Sequence, residues 1–147
     1  MVGRRECMRF AVLLVILFGS GAGPEGAWAG TVERIDIARF EGLVEEGVTV
    51  VDIRRADEWR STGIIPGSRL ITAYDENGRL LDGFVSQLRD LAADGKPLAL
   101  ICRSGNRSAA AARLLAAELP AVSIFDVAGG VRDWQATGHA LSPCPHC

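Results

Sequence analysis

The sequence predicts an α/β fold: one domain with a mostly parallel central sheet and helices on both faces. Three observations predict it. Segments of strand and helix character alternate along most of the chain. The two strongest strand candidates, Val48-Thr49-Val50-Val51-Asp52-Ile53 and Leu98-Ala99-Leu100-Ile101-Cys102, are nearly continuous in apolar character, as strands covered on both faces are. At 147 residues and 48% hydrophobic composition the chain suffices for a single core, and it carries no internal repeat. With 16 basic against 18 acidic side chains, disordered, collagen-like and polyanion-coating classes are excluded. Nucleic acid is therefore not an expected partner.

The amino-terminal segment reads as a cleavable export signal. Arg4, Arg5 and Arg9 precede an unbroken run of nine apolar residues at 10–18, and Pro24 leads to Ala27-Trp28-Ala29. Nine residues fall short of the roughly 20 that a membrane-spanning helix needs. Cleavage after Ala29 leaves 147 − 29 = 118 residues with 13 basic and 16 acidic side chains, a net charge of −3. The expectation is a periplasmic or secreted protein, free of the membrane once the signal at 1–29 is removed. Residues 30–140 form the domain and 141–147 a tail.

From residue 30 onward the elements follow in order. Ile37, Phe40, Leu43 and Val44 recur at helical spacing behind Asp36, a suitable N-cap, and Gly47 ends that helix. The first buried strand covers 48–53, with Asp52 interrupting its apolar run. A short helix at 57–62, a strand at 69–73 and an amphipathic helix at 81–93 come next. A second buried strand at 98–102 leads into an alanine-rich helix at 107–119, a strand at 122–125 and a last helix at 131–136.

The chemistry is concentrated where the strand at 98–102 ends. Cys102 sits at its carboxyl edge, where parallel sheets bind ligands, and Arg103, Ser104, Gly105, Asn106, Arg107 and Ser108 turn directly into a helix. A loop wound tightly before a helix aims backbone N–H groups inward, and the helix amino end adds partial positive charge. Such a cradle suits an anion, here the Cys102 thiolate. Its pKa is expected to be lowered by those donors and by Arg103 and Arg107, making it nucleophilic at neutral pH. The competing reading makes Cys102 an ordinary small buried hydrophobe.

These residues, with three further stretches, resemble the rhodanese family of sulfurtransferases over essentially the whole of 30–147. Asp52-Ile53-Arg54 with Glu58-Trp59 is similar to the family's Asp-x-Arg and Glu-aromatic stretch. Gly63-Ile64-Ile65-Pro66-Gly67-Ser68 is similar to its Gly-His-Ile-Pro-Gly-Ala turn, with Ile64 in place of the histidine and Ser68 in place of the alanine. Gly129-Gly130-Val131-Arg132-Asp133-Trp134 with Gly138 resembles its closing motif. The resemblance implies that the Cys102 thiolate takes the outer sulfur of a small anionic donor such as thiosulfate as a persulfide. Cyanide, a small thiol or a protein thiol then accepts it. Backbone donors at 103–107 would stabilise the persulfide, with no cofactor and no metal called for. Arg103 and Arg107 would attract the donor's anionic end; for Arg103, solvated surface charge is the other reading. Asp52 and Arg54 are expected to support the site by pairing, and Trp59 and Trp134 to lie in the core.

Two other function classes compete. One is a non-catalytic sulfur carrier or redox-sensing module using Cys102 and the terminal cysteines. The other is a cysteine phosphatase, whose phosphate-gripping arginine lies six positions after the nucleophile. Here that position is Ser108 and Arg107 is at the fifth, the loop length associated with sulfur transfer.

The chain ends Pro143-Cys144-Pro145-His146-Cys147, with the spacing of a redox dithiol. Its Pro-His pair resembles the centre of strongly oxidising periplasmic disulfide oxidases, although here it stands on a frayed chain end. Three readings stay open: an exposed tail closed by a small disulfide, a flexible dithiol that discharges the Cys102 persulfide, and a metal site using Cys144, His146, Cys147 and His139.

Overall fold

A computed structural model describes residues 30–147. The export signal read at 1–29 lies outside the described residues. Five strands form one sheet in the order β1-β5-β4-β2-β3, and every pair in it is parallel. The strands are β1 (Val32–Ile35), β2 (Thr49–Asp52), β3 (Arg69–Leu70), β4 (Leu98–Ile101) and β5 (Ile124–Val127). Five helices connect them: α1 (Ile37–Glu45), α2 (Ala56–Thr62), α3 (Phe84–Leu91), α4 (Asn106–Glu118) and α5 (Gly130–Ala136).

β4 shows why the sheet is covered twice. All four of its residues are buried, and they alternate between two cores. Leu98 and Leu100 join Phe84 and Leu88 of α3 and Ala111, Ala112 and Leu115 of α4. Ala99 and Ile101 join Ile37, Phe40 and Leu43 of α1 and Val131 and Trp134 of α5. Each large apolar side chain so buried contributes about 1.5–3 kcal/mol. Trp134 meets Phe40 edge to face, with ring centroids 5.4 Å apart, and Trp59 is buried as well. Among the described residues no helix is long and apolar enough to cross a membrane.

The boundaries depart from the sequence reading in instructive places. β1 was not anticipated: only Ile35 of its four residues is buried, so its hydrophobic signal is weak, and pairing with β5 creates it. The strand expected at 69–73 shortens to Arg69–Leu70, although the Ile71 and Ala73 amides still donate to the carbonyls of Asp52 and Ile53. The helix expected from 81 begins at Phe84, because Gly83 adopts φ 81° and Leu81 bonds back to the Ala73 carbonyl. The strand expected at 122–125 moves to Ile124–Val127, since the Val122 amide is used in a turn with Leu119.

Between the carboxyl ends of β2 and β4 the chain reverses its direction of progress across the sheet. After β2 it moves outward to β3, and after β4 it moves outward to β5 on the other side. Such a switch point opens a crevice in a parallel sheet. The crevice is braced by a buried ion pair at the end of β2. Arg54, 1% exposed, contacts both carboxylate oxygens of fully buried Asp52 at 2.7–3.0 Å. Its remaining donors reach the Thr62 hydroxyl at 2.7 Å and the Gly63 carbonyl at 2.8 Å. The pairing expected of Asp52 and Arg54 is therefore present, and it also fixes the end of α2. Arg54→Ala leaves the Asp52 carboxylate buried without its counter-ion, so chemical denaturation should register a loss of about 3–5 kcal/mol.

Candidate active site

Cys102 follows β4 directly and is 1% exposed. Three residues later Gly105 takes φ 84°, which turns the chain into α4 and brings its own N–H to the Cys102 sulfur at 3.1 Å. The Ser108 hydroxyl, on the first turn of α4 and fully buried, lies 3.6 Å from the same sulfur. The sulfur thus meets an amide, a hydroxyl and the positive end of a 13-residue helix, all of which favour negative charge. Of the amides expected to face it, Gly105 is the one that donates.

The loop keeps this shape because its carbonyls are engaged from behind. The Val131 amide donates to the Cys102 carbonyl at 2.9 Å, and the Arg132 amide to the Arg103 carbonyl at 3.2 Å. The Gly105 carbonyl accepts from Arg34, which also pairs with buried Asp126. Such close approach needs glycine at 130. A Cβ there would lie 2.2 Å from the Cys102 carbonyl oxygen and 2.7 Å from the Arg103 carbonyl carbon, on backbone at φ 62°. Gly130 has a motif signature in the sequence but no sign of this packing role, and Arg34 and Asp126 have no signature there at all.

Arg107 has a partner that the sequence did not reveal. Its guanidinium grips both oxygens of Glu58 at 2.6 and 2.7 Å, joining the start of α4 to α2. Burial pushes the Glu58 carboxyl up, but the hydrogen bonds from Arg107 and the Arg55 amide outweigh it and hold the carboxyl below its ordinary value of 4.5. The same bridge raises Arg107, and the charge Cys102 can carry adds to that rise. Arg107 was expected to attract an anionic donor. Its charge is instead engaged by Glu58, across a separation of 49 residues that no local pattern reports. Arg103 is exposed and lines a 540 Å³ cavity with Arg54, Arg55, Glu58, Arg107 and Arg132. A second cavity of 420 Å³, beside Tyr74 and Asn106, is also lined by Arg107.

With this geometry in hand, the comparisons with known proteins are specific. A rhodanese-like domain model matches residues 36–137. The chain belongs to the rhodanese-like family. This membership relates it to sulfurtransferase-type and allied proteins. A solved rhodanese-related protein from Thermoplasma volcanium is 31% identical, with 73% of this chain and 94% of that one covered and a TM-score of 0.54. A rhodanese-like domain protein from Staphylococcus aureus shares the fold at 22% identity, 75% and 98% coverage and a TM-score of 0.53. A Rhodopseudomonas palustris protein described as a possible tyrosine phosphatase shares it at 24% identity, 76% and 85% coverage and a TM-score of 0.58. Comparison with curated proteins gave no match.

Cys144 and Cys147 are bonded to each other, and Cys102 is the free cysteine among the described residues. Among the described residues no group of three or more His, Cys, Asp or Glu side chains converges as a metal site. His139 instead stacks on Trp134 with centroids 4.0 Å apart.

Two outcomes follow from this packing. Gly130→Ala should loosen the loop, lowering stability by at least about 1 kcal/mol and speeding alkylation of Cys102 by a small maleimide. Glu58→Gln should cost about 1–2 kcal/mol at neutral pH. A depressed carboxyl contributes stability above its ordinary value of 4.5 and loses it as pH falls through the lowered folded value. The gap between Glu58→Gln and the parent in denaturation midpoints should therefore close in acid.

Proposed function

We propose that the protein is a sulfurtransferase that carries sulfane sulfur as a persulfide on Cys102. The observation that carries this reading is the Gly105 N–H held 3.1 Å from the Cys102 sulfur within a loop whose carbonyls are tied back. A preorganised donor of this kind stabilises charge at no reorganisation cost when the reaction occurs. With thiosulfate, the Cys102 thiolate attacks the outer sulfur, the S–S bond of the donor breaks, and sulfite leaves with the bonding pair. Cys102 then bears a terminal sulfur whose negative charge faces the same donors. Cyanide attacks that terminal sulfur, forming thiocyanate and returning the thiolate. A small thiol or protein thiol accepts sulfur by the same displacement.

Arg103, which adjoins Cys102, and Arg132 are the cations that would draw an anionic donor toward the loop, since both line the 540 Å³ cavity and neither has an ion-pair partner among the described residues. The buried Ser108 hydroxyl supports the sulfur from the helix side. Phosphate gripping is disfavoured on two grounds: Ser108 occupies the sixth position after Cys102, and Arg107 at the fifth is bound to Glu58. The periplasm or extracellular space is the proposed site of action, a reading supported by the arginines and apolar run of the sequence at 1–29.

Intact mass after thiosulfate treatment without reductant tests the reading. The parent should gain one sulfur atom and lose it to cyanide with release of thiocyanate, whereas Cys102→Ala should gain none. A stable adduct that cyanide does not discharge would point to a carrier, and phosphate release from an aryl phosphate would point to a phosphatase.

A further inference from the structure

The Cys-Pro-His-Cys segment is not the frayed end that the sequence suggests. Ile64 and Ser142 exchange both backbone hydrogen bonds at 2.8 Å, pinning the tail antiparallel to the turn after α2. Gly63 makes room for it, since a Cβ there would lie 2.6 Å from the Ser142 carbonyl oxygen. Beyond that clamp, Arg60 of α2 donates to the Cys147 carbonyl at 2.6 Å. Cys144 and Cys147 are half-buried, while Pro145 and His146 between them are exposed. The bridge is therefore presented to solvent by a docked segment.

Stapling does not explain the bridge. It spans a sequence separation of 3 and ties no two elements of the fold together. A cross-link stabilises a fold according to the length of chain it closes, which is minimal here. Two cysteines at this spacing with an exposed imidazole between them form instead the surroundings in which a thiolate is favoured and a disulfide is attacked.

We propose that Cys144–Cys147 is a second reactive site, a dithiol/disulfide couple whose substrate is an external thiol. An incoming thiolate attacks one sulfur of the pair, the Cys144–Cys147 bond breaks, and the other cysteine leaves as a thiolate. A second external thiol, deprotonated, attacks the mixed disulfide at the external sulfur and releases the oxidised reductant. The two external thiols thereby supply two electrons and two protons, and the pair ends as two thiols. Arg60 is a positioning residue, holding Cys147 by its backbone carbonyl so that the pair stays docked on α2.

The test is a redox titration of the folded full chain, quenched by alkylation and read as the mass of the C-terminal peptide. That readout is independent of sulfur transfer at Cys102. Reduced glutathione and reduced thioredoxin serve as separate arms. Reversible reduction at millimolar glutathione or micromolar thioredoxin, with the mixed disulfide trapped in passing, is expected. Faster reaction with glutathione at equal thiol concentration assigns the source to small thiols, and faster reaction with thioredoxin to a protein dithiol. Arg60→Ala should slow the exchange several-fold and Arg60→Lys should restore most of it. A pair that stays oxidised in both arms until denaturant unfolds the chain overturns the proposal.

Discussion

The amide of Gly105 reaches the Cys102 sulfur only because the carbonyls of the same loop are occupied elsewhere. Each peptide unit presents its N–H and C=O in nearly opposite directions, so a loop that turns a donor inward must dispose of acceptors outward. Here the first turn of α5 takes the Cys102 and Arg103 carbonyls, and Arg34 takes that of Gly105. The donor at that sulfur therefore depends on the docking of α5 through its backbone amides. The absence of a side chain at 130 is what lets that helix come close enough.

Two ion pairs secure the crevice in different ways. Asp52 and Arg54 are buried completely, and the pair is satisfied by the Thr62 hydroxyl and the Gly63 carbonyl, so it acts as a rigid internal brace. Glu58 and Arg107 are partly exposed and connect α2 with the start of α4, across the mouth of the site. Both pairs converge on α2, which carries the wall of the 540 Å³ cavity on one side and receives the tail through Arg60 on the other. One short helix thus lines the cavity beside the Cys102 loop and holds the segment that carries the terminal disulfide.

The sequence by itself determined the class of fold and the place of Cys102 at the edge of the sheet. Apolar runs at 48–53 and 98–102 encode strands buried on both faces, and Cys102 followed by a glycine-containing turn and an alanine-rich helix encodes a sulfur at a sheet edge. These are local signals, carried by residues a few positions apart. What only the tertiary structure decided are contacts between distant segments: β1 as an edge strand with one buried residue, Arg107 committed to Glu58, Arg34 and Asp126 behind the loop, and a tail clamped to Ile64. None has a periodic or motif signature, because each depends on where the backbone brings side chains together and not on which residues adjoin them along the chain.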